Sequence, residues 1–177
     1  MPELIPPPLS LYVHLPWCVR KCPYCDFNSH GARGQLPFDE YVAALVRDLE
    51  HDLPLVWGRT VHSVFFGGGT PSLFPAAAID AILSAAAARL RFAPDAEITL
   101  EANPGTAEHD RFEGYRAAGV NRISFGVQSF DDGCLQRLGR IHGSAEAEAA
   151  VKLAQDAGFD NLNLDLMYAL PGQDLAM

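Results

Sequence analysis

Three cysteines fall within eight residues, Cys18-Val19-Arg20-Lys21-Cys22-Pro23-Tyr24-Cys25, and a fourth, Cys134, stands alone far downstream. Where thiols stay reduced, a tight cysteine group is more often metal-binding or catalytic than a disulfide framework. Buried structural thiols suit this loop poorly, because Arg20, Lys21 and Pro23 make it polar and punctuated. A tetrahedral zinc site needs a fourth ligand. None stands close by: His14 belongs to the apolar stretch before the loop, and His30 would need the chain to turn back. An iron-sulfur cluster prefers thiolates, and three of them would leave one iron open to an exogenous ligand. His51, His62 and His109 show no ligand spacing, and His142 lies near a candidate motif without a defined role. Cys134 reads as a core or surface thiol outside the group.

The elements that must carry this loop alternate in type. Apolar runs that read as strands occur at about Leu11–Leu15, Val61–Phe66, Glu97–Glu101, Arg122–Val127 and Leu162–Met167. Helical periodicity lies between them. Tyr41, Val42, Leu45, Val46, Leu49 and Leu53 share one face, as do Ile79, Ile82, Leu83, Ala86 and Leu90. Two more helices are expected at about Glu108–Ala118 and Ala145–Ala157, with Gly119 and Gly158 as C-terminal caps. Ala118-Gly119-Val120 and Ala157-Gly158-Phe159 both lead into strands, and they stand 39 positions apart, one strand-helix unit. Strands alternating with helices imply parallel pairing with right-handed crossovers.

Side-chain phase then separates an open doubly wound sheet from a barrel. A strand buried between two helix layers is apolar on both faces. Here the phase opposite the apolar one reads Tyr12 and His14; Thr99, Glu101 and Asn103; Ser124, Gly126 and Gln128; Asn163, Asp165 and Met167. That polar phase is expected to line a cavity holding a polar ligand, inside a barrel of about five parallel strands. Residues 1–10, with Pro6, Pro7 and Pro8, read as a leader, and 11–177 as one core domain. The last residues, Pro171 to Met177, follow the fifth strand with no helix to cover it, so the barrel is expected to continue beyond the chain end.

Composition removes other classes. The 177 residues suffice for one core, and 49% hydrophobic with 20% charged residues excludes wholesale disorder and a collagen-like repeat. With 13 Lys+Arg against 22 Asp+Glu the net charge is −9, and no basic cluster is present to neutralise phosphates, so nucleic acid is an unsuitable partner. No apolar run reaches the ~18 residues of a membrane span, and MPELIPPPLS lacks the regions of a signal peptide, so a cytoplasmic location is expected.

With these motifs placed, the chain resembles the radical SAM superfamily. Its Cys18, Cys22 and Cys25 match the CxxxCxxC signature, and LYVHLPWCVRKCPYCDFNSH is similar to the branch that holds oxygen-independent coproporphyrinogen III oxidase and the HemW heme chaperones. The resemblance covers nearly the whole chain. It implies a radical SAM barrel, here partial, in which the three cysteines hold a 4Fe-4S cluster and S-adenosylmethionine chelates the fourth iron, to be cleaved to methionine and a 5′-deoxyadenosyl radical. It implies that Tyr12, Gly68 and Glu101 contact that cofactor, and that Gly69, Thr70, Gln128, Arg140 and Asp165 form a second cofactor-side site, which in the oxidase holds a second SAM. Tyr24 would pack over the cofactor. Gly67-Gly68-Gly69-Thr70-Pro71 follows a strand as the family's glycine motif does, although by itself it is a turn signal and it lacks the ending of a P-loop.

Phe27 discriminates within the branch. The oxidases continue with a further cysteine at that position, whereas the heme-chaperone group has Phe-Asn-Ser, as in Asp26-Phe27-Asn28-Ser29 here. The resemblance therefore implies heme as bound cargo, a recipient hemoprotein and an electron donor as partners, ahead of porphyrinogen decarboxylation. A silent iron-sulfur electron carrier is the third reading.

Overall fold

The computed structural model describes residues 6–106 and 109–174. In chain order the elements are β1 (Leu9–Leu15), β2 (Trp17–Cys18), β3 (His30–Gly31), α1 (Phe38–Val56), β4 (Thr60–Gly68), α2 (Ala76–Ala87), β5 (Arg91–Ala102), α3 (His109–Ala117), β6 (Arg122–Gln128), α4 (Asp132–Arg137), α5 (Ser144–Asp156) and β7 (Leu162–Leu166). The expected strands and helices are all present with shifted ends. The short β2–β3 pair and α4 were not legible in the pattern, since two to six residues are too few to show a period. The expected start of α3 at Glu108, and Leu175 to Met177, lie outside the described residues.

Five strands form one parallel sheet in the order β1-β4-β5-β6-β7. Each strand lies beside its predecessor and the order never reverses. Right-handed crossovers must then place every helix on the same face. The helices follow suit, with α1 packed on α2, α2 on α3 and α3 on α5. A doubly wound sheet needs a reversal to cover its second face. The arrangement is instead a run of consecutive (β/α) units, the wall of a TIM-type barrel. No helix of the described residues is long and apolar enough to cross a membrane.

The core lies between sheet and helices. Val64 and Phe66 of β4, Leu100 of β5, and Ile123, Phe125 and Val127 of β6 are almost fully buried against Ile79, Ile82, Phe112, Tyr115, Ala147 and Ala150. Phe112 meets Phe125 edge to face at 5.8 Å and Phe159 at 6.3 Å. Each such pair is worth about 0.5–1.5 kcal/mol beyond its buried area.

The opposite face carries the polar phase, but only part of it lines a cavity. Toward the strand starts the polar groups bond one another: Arg122 donates to Thr99 Oγ1 at 3.3 Å and pairs with Glu97, and Asn163 donates to Ser124 Oγ at 3.0 Å and to Asp165 at 2.8 Å. A buried hydroxyl such as that of Thr99 has to be hydrogen-bonded to be tolerated. The cleft is left to the C-terminal ends of the strands.

Candidate functional site

The cysteine loop begins where Pro16 turns the chain off β1. The β2–β3 pair then closes residues 19–29 into a loop, with the amide of His30 donating to Pro16 O at 2.8 Å and that of Ala32 to Cys18 O at 2.7 Å. Inside it, Cys25 N donates to Cys22 O at 3.1 Å, a turn that Pro23 favours. The Lys21 ammonium donates to the carbonyls of Phe27 at 2.9 Å and Ser29 at 3.2 Å, tying the outgoing strand of the loop to the returning one. All four cysteines are free, Cys18 buried and Cys22 and Cys25 half-buried.

The glycine segment after β4 is fastened to this loop. Gly69 N donates to Leu15 O at 2.7 Å and Thr70 N to Trp17 O at 2.8 Å. Gly68 has φ +115°, and a Cβ there would lie 2.6 Å from the His14 ring. At Gly69 a Cβ would lie 2.6 Å from the Trp17 carbonyl oxygen. Glycine is required at both positions, once for conformation as well as space and once for space alone.

Two strand ends and the turn after α4 supply the polar side chains. Glu101, next to the end of β5, has its carboxyl pushed above its ordinary range by burial. The Gly68 N–H bonded to it opposes that shift, and the Asp165 charge adds to it. Such a carboxyl is poised for a cationic or hydrogen-bond-donating ligand. Gln128 ends β6 with φ +72°, unusual for a residue with a side chain. Arg140 is delivered by α4. Gly139 closes that helix at φ +70°, with Arg140 N donating back to Leu135 O at 3.0 Å. Its guanidinium donates through Nη2 to Gly126 O at 2.6 Å and through Nη1 to Cys22 Sγ at 3.4 Å. His142, almost fully buried, lies 3.1 Å from both Asn103 Oδ1 and Val127 O and so links the loop after β5 to the end of β6.

Cys18, Cys22, Cys25, Tyr24, Gly68, Gly69, Thr70, Glu101, Gln128, Arg140 and Asp165 thus line one cleft of about 160 Å³. Tyr12 stands beside it, since a Cβ on Gly67 would lie 3.0 Å from the Tyr12 ring and 3.2 Å from the Glu101 carboxylate. Its ring stacks on Phe65 at 6.4 Å and its hydroxyl lies 3.1 Å from His14 Nδ1. Arg20, Phe27, Pro71, Ala102, Asn103 and Gly126 complete the lining. Of these, Asn103 and Gly126 shared the polar phase, Arg20, Phe27 and Pro71 stood within or beside the cysteine and glycine motifs, and Ala102 carried no signal. A larger cavity of about 250 Å³ lies under α1, but leucine, valine and isoleucine dominate its wall. Convergent polar groups, not size, mark a ligand site.

The donor types suit an iron-sulfur cluster with an amino-acid-bearing cofactor. Three free thiols share one loop, and two glycine positions let backbone come close. Arg140 Nε is buried and has no partner among the described residues, as expected where a ligand carboxylate completes the guanidinium fork. No three His, Cys, Asp or Glu among the described residues gather closely enough for a single metal ion.

Comparison with known proteins bears on this site. The radical SAM superfamily profile matches residues 12–177. The heme chaperone HemW of Escherichia coli K12 is 59% identical over 169 residues, and that of Haemophilus influenzae 54% identical over 179. These alignments cover 96% and 99% of this chain but 45% and 46% of the relatives, so the chain spans about half the length of the curated proteins it matches. Among solved structures, the E. coli coproporphyrinogen III oxidase HemN, described as a radical SAM enzyme, superposes with a TM-score of 0.84 at 37% identity, over 94% of this chain and 38% of that one.

Proposed function

This chain belongs to the radical SAM superfamily, and from that premise we propose that it forms the cluster- and SAM-binding part of a heme chaperone, which binds heme and transfers it to a recipient hemoprotein. Cys18, Cys22 and Cys25 are the cluster ligands in this reading. Tyr12, Gly68 and Glu101 hold the cluster-bound cofactor. Tyr24 packs over it, and Gly69, Thr70, Gln128, Arg140 and Asp165 form a second cofactor-side site in the same cleft. When bound, the cluster and SAM together supply one-electron cleavage of a sulfonium, fed by an external electron donor.

What the chain's own residues do follows from their placement. Gly68 and Gly69 let the segment after β4 pack against His14 and the Trp17 backbone, beside the cysteine loop. Glu101 takes a donor or cation, and Arg140 takes a carboxylate. The β2–β3 closure and Lys21 hold the cysteine loop at the mouth of the sheet.

The observation that carries the reading is Phe27. It lines the cleft, exposed, where the oxidase-type motif has a fourth cysteine. Two relatives above 50% identity bear the heme chaperone name. The structural likeness to HemN supports oxygen-independent coproporphyrinogen III oxidation as the second reading.

The full-length protein, reconstituted anaerobically, separates them. Heme bound in stoichiometric amount with no protoporphyrinogen formed is the expected result, and turnover of coproporphyrinogen would overturn the chaperone reading. Replacement of Cys18, Cys22 or Cys25 by Ala is expected to abolish iron binding.

A further inference from the structure

The Arg140 guanidinium reaches a cysteine 118 positions away in sequence. Its Nη1 donates to Cys22 Sγ at 3.4 Å, while Nη2 is anchored on Gly126 O at 2.6 Å. The backbone closure at Gly139 fixes where the side chain starts, and the fork is planar, so the two bonds hold each other in place. Tyr24 lines the cleft beside the same two residues. Cys25 differs: its sulfur faces the neutral Ser29 hydroxyl at 3.8 Å. One thiol of the three therefore receives a charge-assisted bond from a permanently cationic group.

We propose that Arg140 is a redox-tuning residue, which raises the reduction potential of the cluster by donating an N–H···S hydrogen bond to Cys22. The inference rests on the reading of Cys22 as a cluster ligand. Reduction adds one electron and makes the cluster more negative, with most of that charge felt on iron and sulfur. A donor and a positive charge at the ligand sulfur stabilise the reduced form over the oxidised one. Arg140 acts through Cys22, so it is a positioning and electrostatic residue here, in addition to any contact it makes with a bound ligand. Its Nε, buried and without a partner among the described residues, is not consumed by this role.

The test is a potentiometric titration of the reconstituted full-length protein with dithionite, followed by electron paramagnetic resonance, for the parent, Arg140→Lys and Arg140→Met. The expected result is a fall of the reduction equilibrium constant in Arg140→Met by about tenfold, 59 mV for a one-electron couple. Arg140→Lys, which keeps the charge without the fork, should lie between. An unchanged potential in Arg140→Met at full iron content overturns the proposal. Failure of both variants to hold iron overturns it as well, by assigning Arg140 to building the loop. If Cys22→Ala keeps a full cluster at the parent potential, the ligand assignment itself fails, an outcome distinct from the other two.

Discussion

The Thr70 amide donates to the carbonyl oxygen of Trp17 at 2.8 Å, and that same oxygen lies 2.6 Å from where a Cβ on Gly69 would stand. The glycine segment after β4 and the entrance to the cysteine loop are therefore in contact through backbone alone. Backbone cannot rotate aside as a side chain can, so this contact sets how the two halves of the site are spaced.

Gly69→Ala should consequently displace the loop. Overpacking of this kind costs about 1–3 kcal/mol, and the variant is expected to melt lower and to retain less iron after reconstitution. Gly119→Ala is the comparison. Its φ is +103° with nothing within 4 Å of the new Cβ. It should cost about 1–2 kcal/mol of conformational strain while iron uptake stays at the parent level.

Glu101 makes stability depend on pH. Burial raises its folded-state pKa above the ordinary value near 4.5. As pH climbs past that value the unfolded chain loses the proton while the folded one keeps it. The folded state then binds more protons, and stability falls with rising pH until the raised value is passed. Glu101→Gln removes this dependence. In urea denaturation of the ligand-free protein the variant should be more stable than the parent at pH 7 and equal to it below about pH 4.5. Equal stability at both pH values would show that the carboxyl is not held above its ordinary range.

Cys134 should matter to stability and not to iron. It is buried on α4 with Leu138 and Leu170, and Arg137 donates to its sulfur at 3.0 Å. Cys134→Ala should lower the melting temperature, by an amount corresponding to about 0.5–3 kcal/mol, and leave the cluster absorbance unchanged. Loss of that absorbance would place the fourth thiol in the site.

Much of this was legible in residue order. The CxxxCxxC spacing marks its own chemistry because the ligands are local, and the polar phase of β5, β6 and β7 announced a cavity side before any fold was known. Gly119 and Gly158 marked helix ends because only glycine adopts those angles cheaply. What was illegible is long-range or short-lived in sequence. The β2–β3 pair has two residues a side, and its partners are set by the β1 turn at Pro16. Tyr12 shares the polar phase of the site, and its ring packs on Phe65 close to Glu101, a neighbourhood that phase alone does not specify. Thr99 and Ser124 also share that phase, and neighbouring strands satisfy them with Arg122 and Asn163.

The sequence by itself determined the ligand types, the alternation of strand and helix, and which face of each strand is polar, since these depend on neighbours a few residues apart. The tertiary structure alone decided the unreversed strand order that keeps all helices on one face. It also brought Arg140 onto Cys22, Asn103 onto His142 and Gly69 onto Trp17. Each of those contacts joins segments that are distant in the chain. Their geometry is fixed only when parallel strands align in register and bring their C-terminal ends together at one edge of the sheet.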